Sequence, residues 1–365
     1  MYKRQIIICA LISLATGSSW TTSATVGIAL IGIGKAMGLP IGMIAGAVIS
    51  GAYFGDKLSP LSDTTNLAAA MAGSNLFSHI RYMLYTTIPS ITITLIVFTV
   101  ISFTMETGEF SNNQYLLLSI QDSFNINPLL FIVPLIVILL IIRKVSPIIA
   151  LFTGTILGLI FAYFVQSSYF SMSPIEMYKY FMSSITTGVS IDTTHPSLND
   201  LFVSGGMEGM LGTIWLIICA MVFGGIMESI GALSRISKAL LSIGSSVFSL
   251  FVSTVASCLT INLTASDQYL SIVVPGKMFS KAFEEKNLAP ENLSRTLEDG
   301  GTVTSVLVPW NTCGAYQSSV LGVGVNEFFV YAIFNYVSPF MTSVSYTHLR
   351  AHETRHDLVC RLLLE

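Results

Sequence analysis

The chain has 365 residues, 52% of them hydrophobic and 10% charged, with mean hydropathy +0.72 and a formal net charge of −3. No water-soluble domain of this length could carry such a surface, so the composition defines a polytopic membrane protein and excludes a nucleic-acid partner. Five cysteines without a CxxC pair argue against disulfides and thiolate metal sites.

About 20 residues of helix cross a bilayer, and apolar runs of that order recur along the chain. The expected spans are 6–34 (interrupted), 38–54, 83–105, 128–142, 147–165, 209–230, 245–263, 267–280 (short), 301–323 and 328–344. Their Gly, Ser and Thr content suits closely packed membrane helices, so the expected fold is all-α, a transmembrane helical bundle. No cleavable signal peptide is evident, because the first apolar segment is interrupted by Trp20 and a cluster of hydroxyls. Basic residues at His79/Arg81, Arg143/Lys144, Arg235/Lys238 and Lys277 to Arg295 are expected on the cytoplasmic side. The stretches 106–127 and 166–204, poor in Lys and Arg, are expected outside.

Two regions break the hydrophobic pattern in comparable ways. In residues 15–27, ATGSSWTTSATVG precedes GDKLSPLSDTTN at 55–66; in residues 253–269, STVASCLTINLTASDQY precedes RTLEDGGTVTSVLVPWNTCGAY at 295–316. Polar, Gly/Pro-interrupted helices at corresponding places in two halves point to a transporter site near the bilayer midplane. The chain therefore reads as a first repeat region (6–105), connecting helices (106–244), a second repeat region (245–344) and a tail (345–365). That tail, SYTHLRAHETRHDLVCRLLLE, breaks the composition abruptly and resembles translated adapter sequence, as does the opening MYKRQ; the rest then reads as an internal fragment. The tail contains His352, Glu353 and His356 in an HExxH pattern, the sole basis for an alternative reading as a membrane-bound zinc protease.

Charged groups at bilayer depth are costly and mark ion or proton paths. Asp56 and Asp63 flank Pro60, which interrupts the helix and lets both face one cavity. A carboxylate with neutral oxygens suits a dehydrated alkali cation, and the same carboxylate can take a proton instead, so competition would couple the two fluxes. Ser59, Ser62, Thr64, Thr65 and Asn66 are candidate neutral donors, and Lys57 a candidate to position a carboxylate or compensate its charge. The plainer alternative is a cytoplasmic loop with Asp63 as a helix N-cap. Asp267 is a further candidate ligand or, alternatively, the N-cap of the helix from Gln268. Asp299 is a candidate too, whereas Glu298 is assigned no role because Glu284 to Glu298 reads as a solvated amphipathic helix. Asn311 and Thr312 have the apolar context of a site, and Ser18, Ser19, Thr21 and Thr22 could line the path. Glu208 and Glu228 read as interfacial, and His79 and His195 as surface histidines.

GDKLSPLSDTTNLAA, TASDQYLSIVVPGKMF and NLSRTLEDGGTVTSVLVPWNTCGAYQSSVLGVGV, in this order, resemble the NhaC-type sodium/proton antiporters, a group that includes malate/lactate antiporters. The resemblance covers roughly 6–344. It implies a multi-pass protein of the bacterial or archaeal cytoplasmic membrane that exchanges Na⁺ for H⁺ by alternating access, with no cofactor and no catalytic residue. It further suggests that Ser62 to Asn66 and Asn311/Thr312 occupy hairpin tips around the ion. A malate/lactate exchanger is the alternative within transport, with Lys57 the available anchor for a carboxylate; a channel is disfavoured by the paired broken helices. Homo-oligomeric assembly is left open.

Overall fold

The computed structural model describes residues 2–104, 121–143, 145, 147–166, 172–191, 203–243, 246–343 and 345. Helix dominates. α1 (Tyr2–Thr16) leads through Gly17 to α2 (Ser19–Thr22), which runs on through a π-helical turn (Ser23–Gly27) into α3 (Ile28–Ala36). α4 (Ile41–Leu58), α5 (Asp63–Ala72) and α6 (Leu76–Thr104) follow. A 3₁₀ turn (Pro128–Phe131) then opens α7 (Ile132–Ile142), with α8 (Pro147–Val165), α9 (Pro174–Thr186) and a two-residue ladder, β1 (Val189–Ser190) against β2 (Val203–Ser204), beyond it. The remaining helices are α10 (Gly206–Ser229), α11 (Ala232–Ile243), α12 (Val247–Thr264), α13 (Gln268–Glu285) and α14 (Pro290–Leu297). A second π-helical turn (Glu298–Thr302) joins α14 to α15 (Val303–Ser305). α16 (Thr312–Leu321), α17 (Val325–Phe328), a 3₁₀ turn (Phe329–Tyr331) and a final helix, α18, over residues 333–343 complete the described chain.

Among the described residues three helical stretches are long and apolar enough to cross a membrane, Leu76–Phe103, Gly206–Ser229 and Val247–Thr264. Large apolar side chains such as Leu11, Phe103, Phe152 and Trp215 point outward, a surface suited to lipid. The protein is an all-α polytopic transmembrane bundle, as its composition requires.

Several expected spans are redrawn. The segment expected at 83–105 starts about two turns earlier, at Leu76 in α6, and the short span from Asp267 lengthens to Glu285 in α13. The expected span 301–323 is two pieces, α15 and α16, separated by an irregular stretch at 306–311. Within the stretch read as an external loop, α9 forms behind a capping box of Ser173 and Glu176 with Pro174 in its first turn. The HETRH segment lies outside the described residues.

The core has two main parts. One joins α1, α4 and the α16–α18 region through Ile6, Cys9, Ile44, Val48, Tyr53, Leu321, Phe328 and Phe334; the other joins α5 to α12, α13 and α14 through Ala68, Phe251, Ile272, Phe279 and Leu297. α1 and α4 pack closely because α4 offers glycine and alanine at the contact: the Ser13 hydroxyl donates to the Ala52 carbonyl at 2.5 Å.

Candidate functional site

Four helix interruptions organise the polar residues, and each has a local chemical cause. The first falls at Gly17, whose φ of +69° suits glycine, and Ser18 then caps α2 by accepting from the Thr21 amide. The second is set by Pro60: Ser59 before it is extended, as a residue preceding proline prefers, and Ser62 caps α5 by accepting from the Thr65 amide. In the other half, α12 stops at Thr264, Ser266 adopts φ +59°, and Asp267 caps α13 through the Leu270 amide at 2.9 Å. The fourth runs through Pro309 to Asn311, which caps α16 by accepting from the Cys313 amide at 3.0 Å.

These interruptions meet in pairs. A Cβ on Gly17 would lie 2.6 Å from the Leu61 backbone, so only glycine lets the first break touch the second. The Thr312 amide donates to the Ser266 carbonyl at 2.9 Å and the Trp310 indole to the Leu263 carbonyl at 2.8 Å, which joins the third break to the fourth. Asn311 also donates to the Asn262 side chain at 3.1 Å, and Asn262 donates to the Gly301 carbonyl at 2.8 Å. Between the halves, Trp20 stacks on Tyr316 with ring centroids 4.0 Å apart.

Three buried carboxylates sit where the pairs face each other. Asp56, in the last turn of α4, accepts from both the amide (3.1 Å) and the hydroxyl (2.7 Å) of Ser19, all on Oδ2. Its other oxygen, Oδ1, is buried and makes no hydrogen bond of normal geometry among the described residues, although the Ser62 hydroxyl also acts on the carboxylate. Glu298 accepts from Thr64 (3.0 Å) and Thr65 (3.2 Å) on Oε1 and from Thr302 on Oε2, so three hydroxyls bind it and, among the described residues, no cation forms an ion pair with it. Asp299 is different, because the Lys57 ammonium contacts its Oδ1, the Ser338 hydroxyl donates to the same oxygen at 2.8 Å, and Thr342 donates to Oδ2. Lys57 and Asp299 are fully buried, and the Lys57 ammonium also lies 5.9 Å from the Phe334 ring centre.

Other candidates fall elsewhere. Asp63 is exposed; it accepts from its neighbour's amide at Thr64 (2.9 Å) and from the Tyr269 hydroxyl (2.6 Å). Asp267 is buried and Asn311 and Thr312 line the second pair of breaks, where Asp267 and Asn311 act as helix caps. Ser59 is buried behind the second break and receives the Leu61 amide at 3.3 Å, while Asn66 turns back to donate to the Ser62 (2.6 Å) and Pro60 (3.0 Å) carbonyls. Ser62 is in contact with Thr64, hydroxyl to hydroxyl at 3.1 Å, and so stands behind the Glu298 ligand set.

Two expectations are corrected. Glu298 is no solvated helix residue: α13 ends at Glu285, and α14 presents Asn292 to Leu297 inward, which carries Glu298 into the core. Gly300 is what lets the π-helical turn approach, since a Cβ there would lie 3.2 Å from the backbone of Val255 on α12. His79 is no surface histidine, being fully buried with Nδ1 2.7 Å from the Ser294 hydroxyl. The sequence offered one signal for Glu298, its adjacency to Asp299 ahead of Gly-Gly; for Ser338 and Thr342, two hydroxyls one turn apart near the chain's end, it offered none.

A membrane bundle whose interrupted helices gather buried acids, hydroxyls and one lysine has the construction of a secondary transporter. The model of the Na⁺/H⁺ antiporter family matches residues 51–349, and the chain belongs to that family. It is 39% identical over 92% of its length to the Na⁺/H⁺ antiporter NhaC of Alkalihalophilus pseudofirmus, covering 71% of that protein, and 38% identical over 92% to the NhaC of Bacillus subtilis, covering 73%. It is also 36% identical over 91% of its length to a malate-2H⁺/Na⁺-lactate antiporter of Bacillus subtilis, 70% of which it covers.

Proposed function

We propose that the chain is a multi-pass antiporter of the cytoplasmic membrane that exchanges Na⁺ for H⁺, with Asp56 and Glu298 as the exchanging carboxylates. The observation that carries this reading is the open Oδ1 of Asp56. An ionised carboxylate buried without a countercharge is strongly unfavourable, so Asp56 has to be met by a proton or a cation, and the two compete for the same oxygen. Glu298 supports the reading, because the hydroxyls of Thr64, Thr65 and Thr302 already point at it and can turn their lone pairs to a cation, as hard alkali ions require. Ser62 stands behind this set, and the break carbonyls near it complete a neutral-oxygen environment.

The construction suits alternating access. The first and second breaks move as one unit, the third and fourth as another, and the seat lies across their contact, which fits a repeat region on either side of the connecting helices. Lys57 and Asp299 bind the two units in one state. The organic-acid reading, favoured by the malate/lactate relative, needs a cationic anchor in the seat, and Lys57 is already held by Asp299, Ser338 and the Phe334 face. Simple cation exchange is the better fit.

The test is Na⁺-induced collapse of a respiration-driven pH gradient in everted vesicles of an antiporter-deficient host. Collapse by Na⁺ alone, lost in Asp56→Asn, is expected. Collapse that needs malate and lactate would replace this reading with the exchanger, and an Asp56→Asn variant with unaltered activity would move the site away from Asp56.

A further inference from the structure

Ser19, Ser23 and Gly27 share one face of the helical chain that runs from α2 into α3, and that face is pinned at both ends. At one end the Ser19 hydroxyl donates to Asp56 of α4 at 2.7 Å, and the neighbouring Trp20 ring stacks on Tyr316 of α16. At the other, a Cβ on Gly27 would lie 3.0 Å from Val48 of α4, 3.1 Å from Leu321 of α16 and 3.5 Å from the Cβ of Ser23. Gln317 sits one turn before Leu321 on the same face of α16, which brings it to the level of Ser23. Both residues are fully buried, and neither the Ser23 hydroxyl nor either end of the Gln317 amide has a hydrogen-bond partner among the described residues. Buried polar groups are nearly always bonded to protein, water or an ion, and each one left unmet is costly. A serine and a glutamine unmet on facing segments frame a place for a guest.

A cavity of about 890 Å³ adjoins that place, with Ala24, Tyr316 and Val320 in its wall. Lys35 is the charged group in this wall, about three turns of helix, or roughly 18 Å, beyond Ser23. Ser23 therefore has the cavity at its next residue and the grip on Asp56 one turn behind it.

We propose that Ser23 and Gln317 form a second, uncharged cation site, in which Na⁺ arriving from this cavity rests with part of its water before it reaches the Asp56 carboxylate. The inference rests on the antiport reading above. A hydroxyl and an amide carbonyl are hard, neutral oxygens of the kind that replaces water around an alkali ion. An anion is opposed there by the nearby Asp56 carboxylate. Neither Ser23 nor Gln317 ionises, so a proton cannot displace the cation from them, and the competition between Na⁺ and H⁺ stays at Asp56. Dehydration is thereby spread over two stages, the first independent of pH and the second governed by it.

The test is the Na⁺ concentration giving half-maximal collapse of the pH gradient in everted vesicles, at pH 7 and pH 9, for the wild type, Gln317→Met and Ser23→Ala, with the unfolding temperature of each purified protein alongside. Methionine keeps the length of glutamine, alanine removes only the hydroxyl, and the groups lost have no partner in the protein, so both variants are expected to unfold no earlier than the wild type. Half-saturation is expected to rise about tenfold in Gln317→Met and about threefold in Ser23→Ala, the order of one bond to a charged group, and to rise alike at the two pH values. A rise confined to pH 7 would put the effect on protonation of Asp56 and overturn the second site. A lowered maximal rate with half-saturation unchanged would mean that the gap holds water only, and a lowered unfolding temperature in both variants would make the two residues packing groups; either result overturns it. A wild type that shows no collapse with Na⁺ would overturn the antiport reading, and the second site with it.

Discussion

Asp56 and Asp299 are both buried acids at interrupted helices, yet their surroundings are opposite. Asp299 has every direction filled: an ammonium, two hydroxyls from α18 and the turn of its own helix. Asp56 has one oxygen gripped by Ser19 and the other without a cation or a hydrogen bond of normal geometry among the described residues, with the Ser62 hydroxyl close to the group. A carboxylate whose charge is already matched holds a structure together, whereas one whose charge is unmatched waits for something to bind. On the proposed reading, locking falls to the Lys57 side of the site and exchange to the Asp56 side, although Asp56 and Lys57 are consecutive residues of one helix.

The locking side should give the largest effect on stability. Removing one member of a buried ion pair leaves the other uncompensated and costs about 3–5 kcal/mol, while replacing both with apolar groups can be nearly neutral. Lys57→Met and Asp299→Leu are each expected to unfold the detergent-solubilised protein at markedly lower temperature, and the double variant to recover most of that loss. A double variant no better than the worse single one would break the comparison. Asp56→Asn should do the reverse. Asparagine can still accept from Ser19 and needs no counterion, so stability is expected to hold while Na⁺-driven collapse of the pH gradient falls about 100-fold, corresponding to about 2.7 kcal/mol.

Sequence patterning made the bundle and its breaks legible because each break is written in local chemistry. Pro60 and the cap at Asp267 act within three or four residues and are read directly from the chain, whereas the cap of α5 is Ser62 and not Asp63, and Gly17 and the capping role of Asn311 emerge only from the structure. Of the acids, Asp56, Asp267 and Asp299 are buried as the sequence suggests, but Asp63 is exposed and Glu298 takes a buried place the sequence did not give it. Lys57 contacts Asp299 across 242 positions and Thr342 reaches the same carboxylate from α18; nothing local reports such pairings. Glu298 was hidden by its neighbours, since the polar run from Glu284 through Arg295 looks solvated until Arg295 is seen packed between Tyr82 and Phe251. His79 was hidden likewise, because its flanks at Ser78 and Arg81 have the composition of a surface turn.

Glu298→Gln tests whether the three-hydroxyl seat takes part in exchange or only fills space. The amide keeps the shape and can still accept from Thr64 and Thr65, so the fold should survive, while cation affinity is expected to fall about tenfold, corresponding to about 1.4 kcal/mol. The Na⁺ concentration giving half-maximal collapse reads this directly. Ser19→Ala removes one hydroxyl from Asp56 and leaves the amide, and a hydrogen bond to a charged group is worth about 1.5–3 kcal/mol when the site is ionised but less when it is protonated. Losing it favours the protonated carboxyl, so the proton competes better with Na⁺ and collapse should fall more at pH 7 than at pH 9, with the maximal rate at pH 9 largely kept.

Asp63 closes the series with the smallest effect. It stands in the sequence motif beside the exchange residues, but it is exposed and its partners are the Thr64 amide and the Tyr269 hydroxyl. Substitutions at such surface positions usually change stability by no more than about 0.5 kcal/mol. Asp63→Asn keeps an acceptor for the Thr64 amide and offers its Nδ2 as a donor to the Tyr269 oxygen in place of the second acceptor, so half-saturation by Na⁺ and thermal stability are both expected to stay within about twofold and about 2 °C of the wild type. If Asp63→Asn instead abolishes transport while Asp56→Asn does not, the exchanging carboxylate is the exposed one at the mouth of the break, and the bare oxygen of Asp56 has another explanation.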